Sequence, residues 1–269
     1  VASLASSVNR GWRVIATGFC FACFGLGSLV QGFTIWPLLY FAAGDKRRGH
    51  TRVQRAVSWS MRAFVWLMKT VGVLTYEVHG RELLVPRGQF IIANHPSLID
   101  VVFLISFVPE ADCIVKRQLW RNPFTRWPVS LAGYISNAGG EQLVADCAAA
   151  LRAGRSLILF PEGTRTRPGQ SHHMQRGAAQ IALAAKADPR PVTITCQPAT
   201  LFKGNPWYAA PPTRPHWTIK VSPQPISLAA IVTPAGPAPI SARHVTQHLE
   251  IWFNRSVAAQ SAERPMPPP

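Results

Sequence analysis

Two short strings carry most of the chemistry this chain could do. Asn94-His95-Pro96-Ser97-Leu98-Ile99-Asp100 sets a histidine five positions before an aspartate that lies in an apolar run. Phe160-Pro161-Glu162-Gly163-Thr164-Arg165 sets a carboxylate, a glycine and a guanidinium on the turn after an apolar strand. An imidazole braced by a carboxylate is a general base. A glycine-containing turn that offers arginine suits a phosphate or a similar anion. Each string taken alone has an ordinary structural reading: a capping histidine with a solvated aspartate, and a β-turn closed by a Glu162–Arg165 ion pair.

The elements that must position these groups are legible around them. Gln89 to Ala93 reads as a buried strand after the turn Pro86-Arg87-Gly88, and Ser156 to Phe160 reads as another. Pro96 fits the first position of a helix, predicted to run from Pro96 to Phe107. That places His95 at the strand-to-helix corner and Asp100 one turn in, among apolar neighbours. A carboxylate there is costly to bury without a partner, and the nearest candidate is His95. Further strands are predicted near 73–79, 111–115, 133–136, 191–197 and 217–221, and further helices near 141–153, 174–187 and 241–255. Strand and helix alternate, which gives a three-layer α/β domain.

Together the two strings closely resemble the glycerolipid acyltransferases of the lysophosphatidic-acid (1-acylglycerol-3-phosphate) group. The likeness runs from about Tyr76 to about Pro198 and takes in Arg190-Pro191-Val192-Thr193-Ile194 as a later block. The resemblance implies a three-layer acyltransferase-like domain with a mixed central sheet. It implies that His95 takes the proton of an acceptor hydroxyl as that hydroxyl attacks an acyl thioester, while Asp100 holds the imidazole. No cofactor is bound in this scheme; acyl-CoA or acyl-carrier protein is the donor substrate, and a lysophospholipid is the acceptor. Glu162, Gly163, Thr164 and Arg165 would position the acceptor, with Arg165 on its phosphate. Asn94, Ser97, Lys116 and Arg176 complete the expected substrate-binding set. A covalent intermediate on Ser97 is the alternative chemistry. Two departures bear on the acceptor. The stretch Gly133 to Gly140 holds no basic residue where the family has an arginine, and Met174-Gln175-Arg176-Gly177 stands where the family tends to carry F-K-x-G. These keep open an O- or N-acyltransferase acting on another lipid, or a silent membrane-binding protein.

The N-terminal part asks for a membrane. Val14 to Gly44 is a run of 31 residues without a charge, against the roughly 20 that a span needs. A single crossing and a broken helix pair dipping into one leaflet both fit. Lys46-Arg47-Arg48 is the basic flank expected on the cytoplasmic side. Arg52 to Val71 reads as an interfacial helix with Arg55, Arg62 and Lys69 on lipid phosphates.

The whole chain, with 28 basic and 12 acidic residues among 269 and a formal charge of +16, favours anionic membrane lipids and acidic acyl carriers. Nucleic acid is excluded as a partner for want of a binding module. The five cysteines show no metal-ligand framework and suit a reducing cytosol. The expected organisation is a membrane segment and basic helix over 1–72, an acyltransferase domain over 73–255, and a disordered proline-rich tail over 256–269. The expected place is the cytoplasmic face of a bacterial inner membrane.

Overall fold

A computed structural model describes residues 2–115, 117–121, 123–137, 139–232 and 238–263. The N-terminal layer is helical: α1 (Ala2–Phe33), α2 (Ile35–Phe41) and α3 (Lys46–Thr70). The central sheet has seven strands: β1 (Thr75–His79), β2 (Phe90–Ala93), β3 (Ala111–Val115), β4 (Ile135–Ser136), β5 (Ser156–Leu159), β6 (Pro189–Gln197) and β7 (His216–Val221). The connecting helices are α4 (Asp100–Phe107), α5 (Arg117–Arg121), α6 (Pro123–Ala132), α7 (Gly140–Arg152) and α8 (Arg176–Ala185), and α9 (Ala238–Ala262) closes the described chain.

The strand order is β1-β7-β6-β2-β5-β3-β4. β6, β2, β5, β3 and β4 run parallel, β7 pairs antiparallel with β6, and β1 follows β7 in parallel. The sheet is therefore mixed. β2 is apolar throughout because it is covered on both faces, as parallel strands are. Its residues alternate between layers: Ile91 and Ala93 join the core under α3 and α4, while Phe90 and Ile92 join the core under α7, α8 and α9. The chain leaves β2 through α4 on one face and leaves β5 through α8 on the other. A crevice outside the carboxyl ends of β2 and β5 follows from that split.

Several boundaries differ from the sequence reading. α4 starts at Asp100, so Pro96 to Ile99 form a turn rather than helix. The cause is local: Leu98 N–H donates to the Leu201 carbonyl, and Ser97 N–H donates to the Asp100 carboxylate. α9 continues to Ala262 and takes in the first seven residues of the expected tail, so residues 256–262 are helical. Its inner face is held by Phe253, fully buried, and by Gln260, which donates to the Thr218 carbonyl. Residues 264–269 lie outside the described chain.

Candidate active site

His95 stands at the carboxyl end of β2. Its Nδ1 lies 2.9 Å from Asp100 Oδ2, and its ring stacks on Phe160 with centroids 4.3 Å apart. Asp100 is fully buried. It accepts three hydrogen bonds: from His95, from Ser97 N–H at 2.6 Å, and from the Ser97 hydroxyl. Burial pushes the Asp100 carboxyl above its usual range, and the bonds from His95 and Ser97 pull against that shift. A carboxylate on Nδ1 places the proton there and leaves Nε2 as the basic atom. The His95 side chain keeps 18 % of its surface exposed, so the imidazole is not sealed from solvent.

Glu162 links the second string to the first. Its Oε1 accepts from His95 N–H at 3.0 Å and pairs with His172 Nδ1 at 2.9 Å, and its Oε2 accepts from the Thr166 hydroxyl. Thr166 N–H donates in turn to the His95 carbonyl at 3.0 Å. Gly163, at φ 68°, sits in the left-handed region, where glycine avoids the Cβ penalty. The two strings thus meet as one corner, with Glu162 as its clamp. This corrects the expectation for Glu162: it is buried and committed to three protein donors, so it positions His95 and does not itself reach an acceptor.

Asn94 and Ser97 are corrected in the same way, being fully buried. The Asn94 amide bridges the backbone of Ile194 in β6, donating to its carbonyl and accepting from its N–H. The Ser97 hydroxyl donates to Asp100 and accepts from Trp217 Nε1 at 3.1 Å. A serine enclosed on both sides is no nucleophile. Gly163 and Thr164 are exposed on the turn, and Arg176, also exposed, opens α8. Arg165 gives Nη1 to the carbonyl of Leu201 at 2.7 Å, which leaves its remaining N–H groups for an anion. Lys116 lies outside the described residues. β4 ends at Ser136 beside Asn137, whose side chain accepts from Arg117 N–H.

The sequence reading missed His172. It is ten residues from Glu162 and locked at both ends: its N–H donates to Asn254 Oδ1, and its carbonyl accepts from Asn254 Nδ2. The loop is thereby tied to α9. A cavity of about 490 Å³ lies on this side, walled by Asn94, Pro96, Thr166, His172 and Asn254 among others. It touches both neighbours of His95, while the His95 ring itself turns toward Phe160 and the α4 side.

The basic stripe of α3 is engaged within the protein. Arg55 pairs with Glu110 at 2.5 Å, Arg62 donates to the Ser106 carbonyl, and Lys69 lies over the Tyr76 ring. These contacts hold α3 against the α/β domain, while all three side chains stay exposed at the surface. Trp59 and Trp66 share their exposed stripe. In α1, Val8, Trp12, Ile15, Phe19, Leu26 and Val30 also face outward. The stretch Ser7–Phe41 is long and apolar enough to cross a membrane by length and composition.

Known proteins resemble this chain in sequence and in fold. Residues 75–199 match the family model described as Acyltransferase. The 1-acyl-sn-glycerol-3-phosphate acyltransferase of Pseudomonas aeruginosa is 27% identical over 234 residues, covering 83% of this chain and 85% of its own. The yeast Saccharomyces cerevisiae enzyme of the same name is 30% identical over 155 residues, covering 53% of this chain and 50% of its own. The fold matches the crystal structure of the 1-acyl-sn-glycerophosphate acyltransferase of Thermotoga maritima, with a TM-score of 0.70 at 18% identity, over 96% of this chain and 98% of that one.

Proposed function

We propose that this chain, whose residues 75–199 match the acyltransferase family model, moves a fatty acyl group from a thioester to the hydroxyl of a lysophospholipid such as 1-acylglycerol-3-phosphate. The observation that carries the reading is the His95–Asp100 pair, at 2.9 Å, with the imidazole still partly exposed and its backbone tied to Glu162 of the Glu162–Arg165 turn. The acceptor hydroxyl attacks the thioester carbonyl and forms the new C–O bond as its proton passes to His95 Nε2. The C–S bond then breaks, and the departing thiolate takes the proton from the imidazolium. Asp100 holds the ring and stabilises its cationic form; help of this kind is worth roughly 10²–10⁴ in rate. Arg165 meets the acceptor phosphate. The printed names of the relatives support this acceptor.

The donor is acyl-CoA or acyl-carrier protein, and the enzyme works on the cytoplasmic face of a membrane. α1 and α2 lie in one leaflet rather than across both. α1 is fastened along the domain by Arg13 to the carbonyls of Pro211 and Pro212, by Gly32 against Pro128, and at the edge of its outward face by Trp12 to the Val71 carbonyl. A crossing helix held that way would draw the α/β domain into the hydrocarbon.

The absence of a basic residue at Ser136 and Asn137 favours a second reading, an acceptor without glycerol phosphate. The test gives purified protein acyl-CoA or acyl-carrier protein with a panel of lyso-acceptors, beside His95→Ala. Turnover of 1-acylglycerol-3-phosphate that His95→Ala abolishes supports the proposal. Turnover of other acceptors only supports the second reading. Equal turnover by variant and parent refutes the role of His95, and none with any acceptor marks a silent membrane binder.

A further inference from the structure

The opposite edge of the sheet holds a second basic site. Arg87 lies in the turn before β2, Arg155 immediately before β5, and Glu110 immediately before β3. The first two mark the amino ends of β2 and β5, the strands whose carboxyl ends carry the corner around His95. The turns of Arg87 and Arg155 come close because both bend through glycine: Gly88 is at φ 75°, Gly154 at φ 73°, and a Cβ on Gly88 would lie 3.6 Å from the Gly154 backbone. The first turns of α3 face them with Lys46, Arg47, Arg52 and Arg55. Two adjoining clefts result, of about 400 and 520 Å³, and Arg47, Thr51 and Arg87 line both.

Internal pairing accounts for only part of this charge. Arg55 and Arg87 share one oxygen of Glu110, and Arg155 pairs with the buried Asp112 at 3.1 Å. Among the described residues no carboxylate pairs with Lys46, Arg47 or Arg52. Arg52 donates to the Ala42 carbonyl, so the clefts begin where α2 ends. Leu38 and Phe41 of α2 are 70 and 66 % exposed and continue the outward apolar face of α1.

We infer that this basin is a binding site for the phosphate of an anionic membrane lipid, separate from the acceptor site and a strand's length away from it. Charge selects the headgroup, and continuity with the apolar face of α2 selects a lipid over a soluble anion. The site tethers the edge of the domain remote from His95. The inference rests on the membrane reading given above. Removing one basic residue near an anionic surface weakens binding about fivefold.

The test uses the full chain and vesicles of phosphatidylcholine with or without phosphatidylglycerol. The triple variant Lys46→Gln, Arg47→Gln, Arg87→Gln is compared with Lys186→Gln, Arg243→Gln, Arg255→Gln, which removes equal charge from other exposed positions. The first is expected to lose on the order of 100-fold of the phosphatidylglycerol-dependent binding, the second no more than a few-fold. Binding to phosphatidylcholine and turnover of a detergent-solubilised acceptor stay at the parent level in both. Equal losses in the two triples would show diffuse attraction and overturn the site. A saturable thermal stabilisation by inorganic phosphate, lost in the first triple, would make it a soluble-anion site and overturn the lipid. A parent that binds neither vesicle overturns the membrane reading as well. Lack of turnover in every form, with the vesicle result intact, would count against the acceptor alone.

Discussion

The corner holds two imidazole–carboxylate pairs of the same length, His95–Asp100 and His172–Glu162, each at 2.9 Å. They differ in what surrounds the imidazole. His95 has its side chain partly exposed and its partner fully buried behind it. The His172 side chain is 10 % exposed, and its backbone is fixed at both ends by Asn254. Glu162 differs from Asp100 as well, because it spends its second oxygen on Thr166 and shares its first between His172 and the His95 amide. The pair distance therefore says little about chemistry; access does. In the proposed reaction the first pair exchanges a proton with the substrate, and the second fixes the loop on which the first depends.

Glu162→Ala should break both pairs and have the largest effect. It leaves the His95 amide, His172 and the Thr166 hydroxyl without an acceptor, at a cost of about 3 kcal/mol or more. Thermal denaturation should show a clear loss of stability, with turnover falling alongside. Asp100→Asn should separate the two properties. Turnover should drop roughly 10²–10⁴-fold while the protein stays folded.

Its stability should depend on pH with a definite sign. A folded-state carboxyl raised by burial contributes stability that is full below the ordinary value of about 4 and is lost as pH rises through the higher folded one. Melting measured against pH should therefore show the asparagine variant gaining on the parent toward neutrality, with no such gain in acid. A parent that gains on the variant as pH rises would contradict the burial argument.

His172→Ala should do less to chemistry, with turnover within about tenfold of the parent and an unchanged pH profile, since roughly 10²–10⁴ is what a lost acid–base group would cost. Its melting temperature should fall, because Glu162 loses a buried donor. The smallest effect concerns the apolar layer. Cys23 is exposed on α1, while Cys113 and Cys147 are buried; burial pushes the Cys147 thiol up to about 12. A water-soluble maleimide should label Cys23 in detergent-free solution and fail to label it on vesicles. Equal labelling in both would place that face of α1 outside the lipid.

Much of the corner was legible because its parts are local. β2 and β5 are short apolar runs between turn residues, and the His95–Asp100 spacing lies within one turn. What stayed hidden depends on distant partners. His172 sits in a polar loop with nothing in its neighbourhood to mark it, and only folding brings Asn254 of α9 to it. The start of α4 was misplaced because Pro96 suits a helix start, whereas the Leu201 carbonyl draws Leu98 N–H into a turn. Arg55, Arg62 and Lys69 have the spacing of a lipid-facing stripe, yet Glu110, Ser106 and Tyr76 take them up. α6 escaped notice because Pro128 interrupts its pattern. Pro128 is the sixth residue of that helix, and it packs beside Gly32 of α1, a contact the sequence does not show.

The most direct test sets His95→Gln beside His172→Gln in one turnover assay, at matched folded fractions. The account predicts at least about a hundredfold lower kcat for the first than for the second. Equal losses, or a greater loss at His172, would contradict the claim that the open pair carries the chemistry and the closed pair holds it in place.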